Sequence, residues 1–270
     1  MRPHNLQSSL RRLEKAIQKL STGKAKVLKA IQEDPTAILR LAGLEADPWQ
    51  AGLLASRKRQ MLVLCSRQAG KSTAAAALAL RTALTKPMGP ILLVSRSRLQ
   101  SEELFRKVLD LFRQSGRPMG STLENKLELE LTNGSRILCL PGSEATIRGF
   151  SGVALLVIDE AARVPDELYY AVRPMLAVSR GRLIALSTPF GKRGWFYEAW
   201  RSEASWERIE TPATRCRRIS AAFLDEERLA LGQRWFAQEY LCSFEDAVGA
   251  VFLREDLDAA MDTDLPPLFS

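Results

Sequence analysis

Three runs in the sequence end in residue types that handle phosphate, metal and water. Leu62-Val63-Leu64-Cys65-Ser66-Arg67-Gln68-Ala69-Gly70-Lys71-Ser72-Thr73 reads as an apolar strand, a loop of small and polar residues, and the start of an alanine-rich helix. That context turns backbone N–H groups at a helix N-terminus toward phosphates. Gly70 spares a Cβ there, Lys71 adds a point charge for the β and γ phosphates, and Ser72 offers a hydroxyl to Mg2+. Ser66, Arg67, Gln68, Ala69, Gly70, Lys71, Ser72 and Thr73 are therefore the candidate phosphate cradle, and the cofactors it points to are ATP and Mg2+. Cys65 stands where the usual pattern has its first glycine. For this run alone, a helix N-terminus with a surface lysine stays open.

The second run is Val153-Ala154-Leu155-Leu156-Val157-Ile158-Asp159-Glu160, a buried-type strand closing on two carboxylates, with Asp159 lying 88 residues after Lys71. In a parallel sheet both strand ends share one carboxyl edge. Asp159 can then hold Mg2+ through water while Glu160 orients and deprotonates the attacking water; a plain helix cap is the alternative. The third run, Leu183-Ile184-Ala185-Leu186-Ser187-Thr188-Pro189, places two hydroxyls on the same edge. Ser187 and Thr188 suit a sensor of the γ-phosphate, or a turn begun by Thr-Pro.

Positioning these groups requires alternating strands and helices. The expected strands are Met61 to Cys65, Ile91 to Val94, Val153 to Ile158 and Leu183 to Leu186. The expected helices are one from Lys71, then Leu99 to Gln114, Asp166 to Leu176 and Trp195 to Glu203. Such alternation predicts an α/β fold, a mostly parallel sheet flanked by helices. Asn133-Gly134, between apolar runs 126–131 and 136–140, predicts a hairpin at the sheet edge or beside it. After Pro212 two helices are expected, Ala221 to Leu231 and Gln233 to Cys242. Before the sheet, Leu6, Leu10, Leu13, Ile17 and Leu20 form a helical stripe that resumes at Val27, Leu28 and Ile31. Asp34-Pro35 and Asp47-Pro48 bracket a short helix. The expected organisation is a basic helical N-terminal segment at 1–46, a phosphate-loop domain at 47–252 and an acidic tail at 253–270.

Composition narrows the chemistry. The chain has 270 residues and one histidine, His4, which argues against a histidine triad, a zinc protease site or a histidine phosphorelay. Four widely spaced cysteines contain no CxxC pair, so neither a zinc site nor a disulfide framework is indicated and a reducing cytoplasmic setting fits. No apolar run reaches the ~18 residues of a membrane span, and no secretory signal is read at the start. The net charge is +8, of which +5 falls in residues 1–46. That distribution reads equally as a DNA-binding arm or as a solvated helix surface.

Together with their flanks these motifs identify a resemblance. The chain resembles the ATPase half of the large terminase subunit, the DNA-packaging motor of tailed bacteriophages, from about Pro48 to Phe252. The resemblance rests on Pro48-Trp49-Gln50, Cys65 to Ser72, Thr146-Ile147-Arg148-Gly149, Leu155 to Ala162 and Ser187-Thr188-Pro189-Phe190-Gly191. It implies a P-loop NTPase sheet of the additional-strand type, with an extra strand between the two motif strands. It further implies that Gln50 reads the adenine edge with Trp49 packing nearby, and that Arg67 contacts the γ-phosphate. An arginine finger from a neighbouring subunit is implied as well, with Arg96 and Arg98 as candidates and Arg148 as runner-up. The implied partners are double-stranded DNA, a homo-oligomeric ring on a portal and a small terminase subunit, with no membrane. Members of that family continue into a nuclease domain. Here Val248 to Phe252 is where the connection would begin, and Asp256, Asp258, Asp262 and Asp264 lie in the tail, so cleavage is not expected of this chain.

Two other readings stay open. A helicase-like or other nucleic-acid-dependent P-loop ATPase shares the carboxylate and sensor strands, although the length leaves no room for a second motor core. A non-hydrolysing nucleotide-binding scaffold would have no use for Glu160.

Overall fold

The computed structural model describes residues 21–86, 89–141 and 149–246. The stripe from Leu6 to Leu20, His4, the segment containing Thr146, Ile147 and Arg148, and the acidic tail lie outside the described residues. Helix α1 covers residues 21–33. It is followed by α2 (Ala37–Leu41), α3 (Pro48–Ala55), β1 (Gln60–Cys65), α4 (Lys71–Thr85), β2 (Ile91–Ser95) and α5 (Arg98–Gln114). Then come β3 (Ser121–Glu124), β4 (Glu128–Leu131), β5 (Arg136–Pro141), β6 (Leu155–Asp159) and α6 (Asp166–Val172). The chain continues through β7 (Arg182–Ser187), α7 (Gly194–Arg201), β8 (Glu207–Thr211) and α8 (Ala221–Tyr240).

The eight strands form one sheet in the order β3-β4-β5-β2-β6-β7-β1-β8. β5, β2, β6, β7, β1 and β8 run parallel, and β3 and β4 add an antiparallel edge. The Asn133-Gly134 turn therefore joins β4 to β5 within the sheet. β7 lies between β1 and β6 and pairs with both, which is the extra strand between the two motif strands.

The central strands β1, β2, β6 and β7 are almost wholly apolar because both of their faces are covered. Met61, Val63 and Cys65 of β1 enter one core, and Leu62 and Leu64 enter the other. The same alternation splits Leu155 and Val157 from Leu156 and Ile158 in β6, as a side-chain period of two demands. On the first face, the buried run Ala74 to Ala77 lets α4 lie close to the sheet. α6 and α7 contribute Leu168, Tyr169, Val172, Trp195 and Phe196 to the second core.

Packing is continuous across residue 47. Ile31, Ala37, Ile38 and Leu39 are buried in the same core as Met61 and Leu78. Arg81 of α4 also donates to the carbonyls of Ile31 and Gln32 at the end of α1. Ile38→Ala is accordingly expected to cost about 2–4 kcal/mol by leaving a cavity in that core, checked by chemical denaturation. A truncation meant to test the basic arm should stop before residue 21, because one reaching residue 46 removes core residues. Among the described residues no helix is long and apolar enough to cross a membrane.

Candidate nucleotide-binding site

The loop after β1 is held from several sides. The Ser66 amide donates to Thr211 O at 3.0 Å and the Arg67 amide to Glu239 O at 2.8 Å. Gln68 and Gly70 take left-handed conformations, at φ 60° and 87°. Cys65 is still buried strand and is not among the residues with positive φ. Its place therefore needs no glycine, which is why the unusual first residue is accommodated. At Gly70 the need is real: a Cβ would come within 2.8 Å of Gln50 Nε2 and 3.1 Å of Arg218 Nη2. α4 begins at Lys71, so its first-turn amides, which have no acceptor within the helix, open onto the loop. Ser66 and Ala69 are buried and serve as framework, while Thr73 is half-buried in the first turn.

Lys71 is buried and donates from Nζ to Ser66 O at 3.0 Å. Ser72 Oγ donates to Asp159 Oδ2 at 3.2 Å, joining the loop to the carboxylate strand across the intervening β7. Asp159 is pushed up to about 6, first by burial and then by the charge of Glu160, with Lys71 pulling the other way. An unfolded aspartate titrates near 4. Between about 4 and 6 the folded chain thus holds a proton the unfolded chain has lost. Stability falls as pH rises through that window, and the penalty is complete above it. Asp159→Asn should therefore raise the melting temperature of the nucleotide-free protein by a few degrees at pH 8 and much less near pH 4.5. Calorimetry at the two pH values checks the sign.

Glu160 sits just past β6 at φ 51°, in the left-handed region that a non-glycine residue seldom adopts. Its Oε2 lies 3.5 Å from the Thr188 hydroxyl, which donates to it, and 3.6 Å from Arg163 Nε. Ser187 acts differently from its neighbour. Its hydroxyl accepts from the Ala162 amide at 3.0 Å and so fixes the turn after Glu160. The end of β7 thus couples to Glu160 through one hydroxyl by contact and through the other by backbone.

Gln50 accepts from the Asp47 amide at 3.0 Å and donates to Gly70 O at 3.2 Å, so both ends of its amide are engaged within the protein. In this arrangement it buttresses the loop. Trp49 is buried beside it. Arg67 is largely exposed and pairs with Glu239. Arg96 and Arg98 follow β2, the neighbour of β6, and therefore stand at the same sheet edge. Both are exposed, and Arg98 pairs with Glu102 at 3.0 Å.

Three residues of the site escaped the sequence reading. Arg218 donates to Asp47 Oδ2 at 2.7 Å and to Ala69 O at 3.1 Å, which straps the loop to the start of α3. Arg163 lies between Glu160 and Glu239, stacked 4.3 Å over the Phe190 ring. Glu239 is buried near the end of α8. Arg218 and Glu239 act on partners far along the chain, so no local spacing announces them, whereas Arg163 lies three residues after Glu160 and could have been read from that spacing.

Among the described residues no cluster of three or more histidine, cysteine, aspartate or glutamate side chains is arranged to hold a metal ion. A hydroxyl and one buried carboxylate fit the few-ligand mode in which Mg2+ is taken together with phosphate oxygens.

The sequence matches the family described as Terminase large subunit, T4likevirus-type, N-terminal, over residues 62–259. No curated protein sequence matches it. Among solved structures, the large terminase ATPase domain of Thermus phage P74-26 is similar at TM-score 0.68 and 22% identity, over 77% of this chain and 97% of that one. The large terminase of a thermophilic bacteriophage, in complex with ATP-gamma-S, is similar at TM-score 0.60 and 16% identity, over 74% of this chain and 53% of that one. The HK97 bacteriophage large terminase gives TM-score 0.60 and 17% identity, over 74% of this chain and 51% of that one. The chain thus spans about half the length of these last two proteins, and at such identities the likeness establishes the fold.

Proposed function

We propose that this chain, which belongs to the T4-like-virus-type large terminase subunit family by that family's N-terminal part, hydrolyses ATP to drive double-stranded DNA into a procapsid. The observation that carries the reading is the Ser72–Asp159 contact. It brings the loop hydroxyl and the carboxylate strand to one sheet edge, with Lys71 and Glu160 on either side. Ser72 and Asp159 would hold Mg2+, which when bound offsets charge on the phosphates. Lys71 and the first-turn amides of α4 bind and orient the polyphosphate. Arg67 adds a second cation from the loop. Glu160 takes a proton from water, and Thr188, in contact with its carboxylate, keeps it oriented. Gln50 would meet the base end of the nucleotide and, through its bond to Gly70 O, tie recognition there to the loop.

On this reading the physiological partners are DNA, a portal-bound ring of like subunits and a small terminase subunit, in the host cytoplasm. Arg96 and Arg98 are assigned to a neighbour's site. A finger supplied in trans contributes roughly 10³ to 10⁵ in rate, so specific activity should climb with protein concentration. Steady-state ATPase assays on mixtures of Glu160→Gln with Arg96→Ala/Arg98→Ala test this. Activity above the sum of the two proteins supports the assignment. Activity equal to the sum in demonstrably co-assembled mixtures removes these arginines and turns attention to Arg148. A wild-type chain with no Mg2+-dependent ATP hydrolysis at any concentration overturns the function itself.

A further inference from the structure

The amino-terminal ends of the parallel strands carry a one-sided charge. In the described turns that lead into them, residues 56–59, 86, 89–90, 132–135, 149–154, 177–181 and 202–206, the cations are Arg57, Lys58, Arg59, Lys86 and Arg180. Against them stands one carboxylate, Glu203, and all six side chains are exposed. Arg57, Lys58 and Arg59 precede β1, and Arg180 precedes its neighbour β7. Among the described residues these four side chains make no hydrogen bond or ion pair. The β3 end of the sheet differs, since Arg113 and Arg117 pair there with Glu124 and Arg136 pairs with Glu128.

The backbone beneath the unpaired cations is fixed. Ser56 Oγ donates to Glu207 Oε2 at 2.6 Å and accepts from the Lys58 amide at 3.1 Å. Lys58 O accepts from Arg182 Nε at 2.9 Å, and Arg59 O from the Leu183 amide at 2.7 Å. In the adjoining turn Ser179 Oγ donates to Val153 O and accepts from the Gly181 amide. Arg180 itself is held at φ 50°, a conformation that a non-glycine residue seldom adopts. The scaffold also gathers like charges: burial lowers the pKa of Arg81 and of Arg182, with Arg57 repelling Arg81 and Arg81 repelling Arg182. A rigid loop that presents three free cations over two buried ones is built for an anion that comes from outside.

We infer that residues 57–59, together with Arg180, grip the phosphate backbone of double-stranded DNA at the sheet edge opposite the nucleotide site. The inference rests on the DNA-motor reading above. Arginine and lysine without base-reading partners are the groups that hold phosphates. A protein partner fits less well, because interface cores are depleted in lysine and enriched in aromatic side chains, and these turns expose one large apolar residue, Val178. The six residues of β1 separate the cations from the phosphate loop by about 20 Å, so contact with DNA leaves the groups that handle ATP untouched.

Binding of a mixed-sequence DNA duplex to the full chain, followed by fluorescence anisotropy over a range of salt concentrations, tests this. Arg57→Ala/Lys58→Ala/Arg59→Ala should flatten the slope of log affinity against log salt by about 2 to 3, and lower affinity at about 0.1 M salt by roughly 10²-fold. Arg180→Ala should flatten it by about 1. Arg57→Lys/Arg59→Lys should keep most of the slope, since a phosphate accepts either charge; a loss there as large as with alanine overturns the inference. Basal ATP hydrolysis without DNA should stay at the wild-type level in the alanine variant, and its melting temperature should not fall. On the unsubstituted chain, duplex DNA should protect Lys58 from amine acylation read by mass spectrometry, which keeps the inference refutable should the triple variant not fold. Equal acylation with and without saturating DNA overturns it. A wild-type slope in the folded alanine variant also overturns it and turns this edge toward an acidic protein surface. A wild type that binds no duplex at low salt removes the DNA-motor reading together with this inference, whereas one that binds, with variants that leave the slope unmoved, removes this inference alone.

Discussion

Lys71→Ala is expected to reduce ATP hydrolysis by roughly 10³-fold or more, the scale on which losing a preorganised charge partner of the reacting group is felt. The side chain is buried, and in the nucleotide-free site its ammonium is held by Ser66 O. That contact keeps the charge at the mouth of α4 and commits it to no carboxylate. Nothing else on the loop replaces it. Arg67 is exposed and shared with Glu239, and the guanidinium of Arg218 is occupied by Asp47 and the Ala69 carbonyl. The substitution should leave the fold intact, since alanine is a good residue at the start of a helix and neighbouring Ala74 to Ala77 already pack there. Phosphate release and ATP-gamma-S titration on the same preparation provide the check. Turnover at the wild-type rate, with the melting temperature preserved, would falsify the phosphate-loop assignment.

What the sequence made legible follows from which forces are local. β1, β2, β6 and β7 are buried on both faces, so their apolar runs stand out, and their ends coincide with Cys65, Asp159 and Ser187. The Asn133-Gly134 hairpin and the break in α8 at Gly232 were readable because turn and helix-breaking residues act within a few positions. β8 was missed. Among Glu207, Arg208, Ile209, Glu210 and Thr211 only Ile209 is strongly apolar, because an edge strand needs one covered face and is held mainly by its pairing with β1. β3, also at an edge, was missed for the same reason.

The site shows the same division. Ser72 and Asp159 were expected at one carboxyl edge because the strands before them run parallel, and their side chains meet there at 3.2 Å. Glu239 was invisible, since in a helix its charge reads as solvated surface until two arginines from elsewhere in the chain bury it. Gln50 has attachments within the protein that the motif did not announce. Its amide already bridges Asp47 and Gly70, a contact that only the three-dimensional path of the loop reveals.

Glu160→Gln should separate binding from chemistry. The amide matches the carboxylate in size and retains an oxygen able to accept from Thr188, while Ser72, Asp159 and Lys71 are untouched. ATP-gamma-S affinity should therefore stay within a few-fold of wild type. Hydrolysis should fall by roughly 10² to 10⁴, the usual contribution of a positioned base. The backbone supports this assignment. Glu160 is held at φ 51°, Ser187 Oγ fixes the following turn through the Ala162 amide, and Arg163 stands at the carboxylate. Each constraint reduces the freedom of a side chain whose task is to meet one water molecule in one orientation. A single-turnover experiment under saturating ATP distinguishes a lost base from slowed product release, because only the former lowers the first-turnover rate. If the first turnover proceeds unchanged, Glu160 serves only to shape the turn, and the proton must leave by another route.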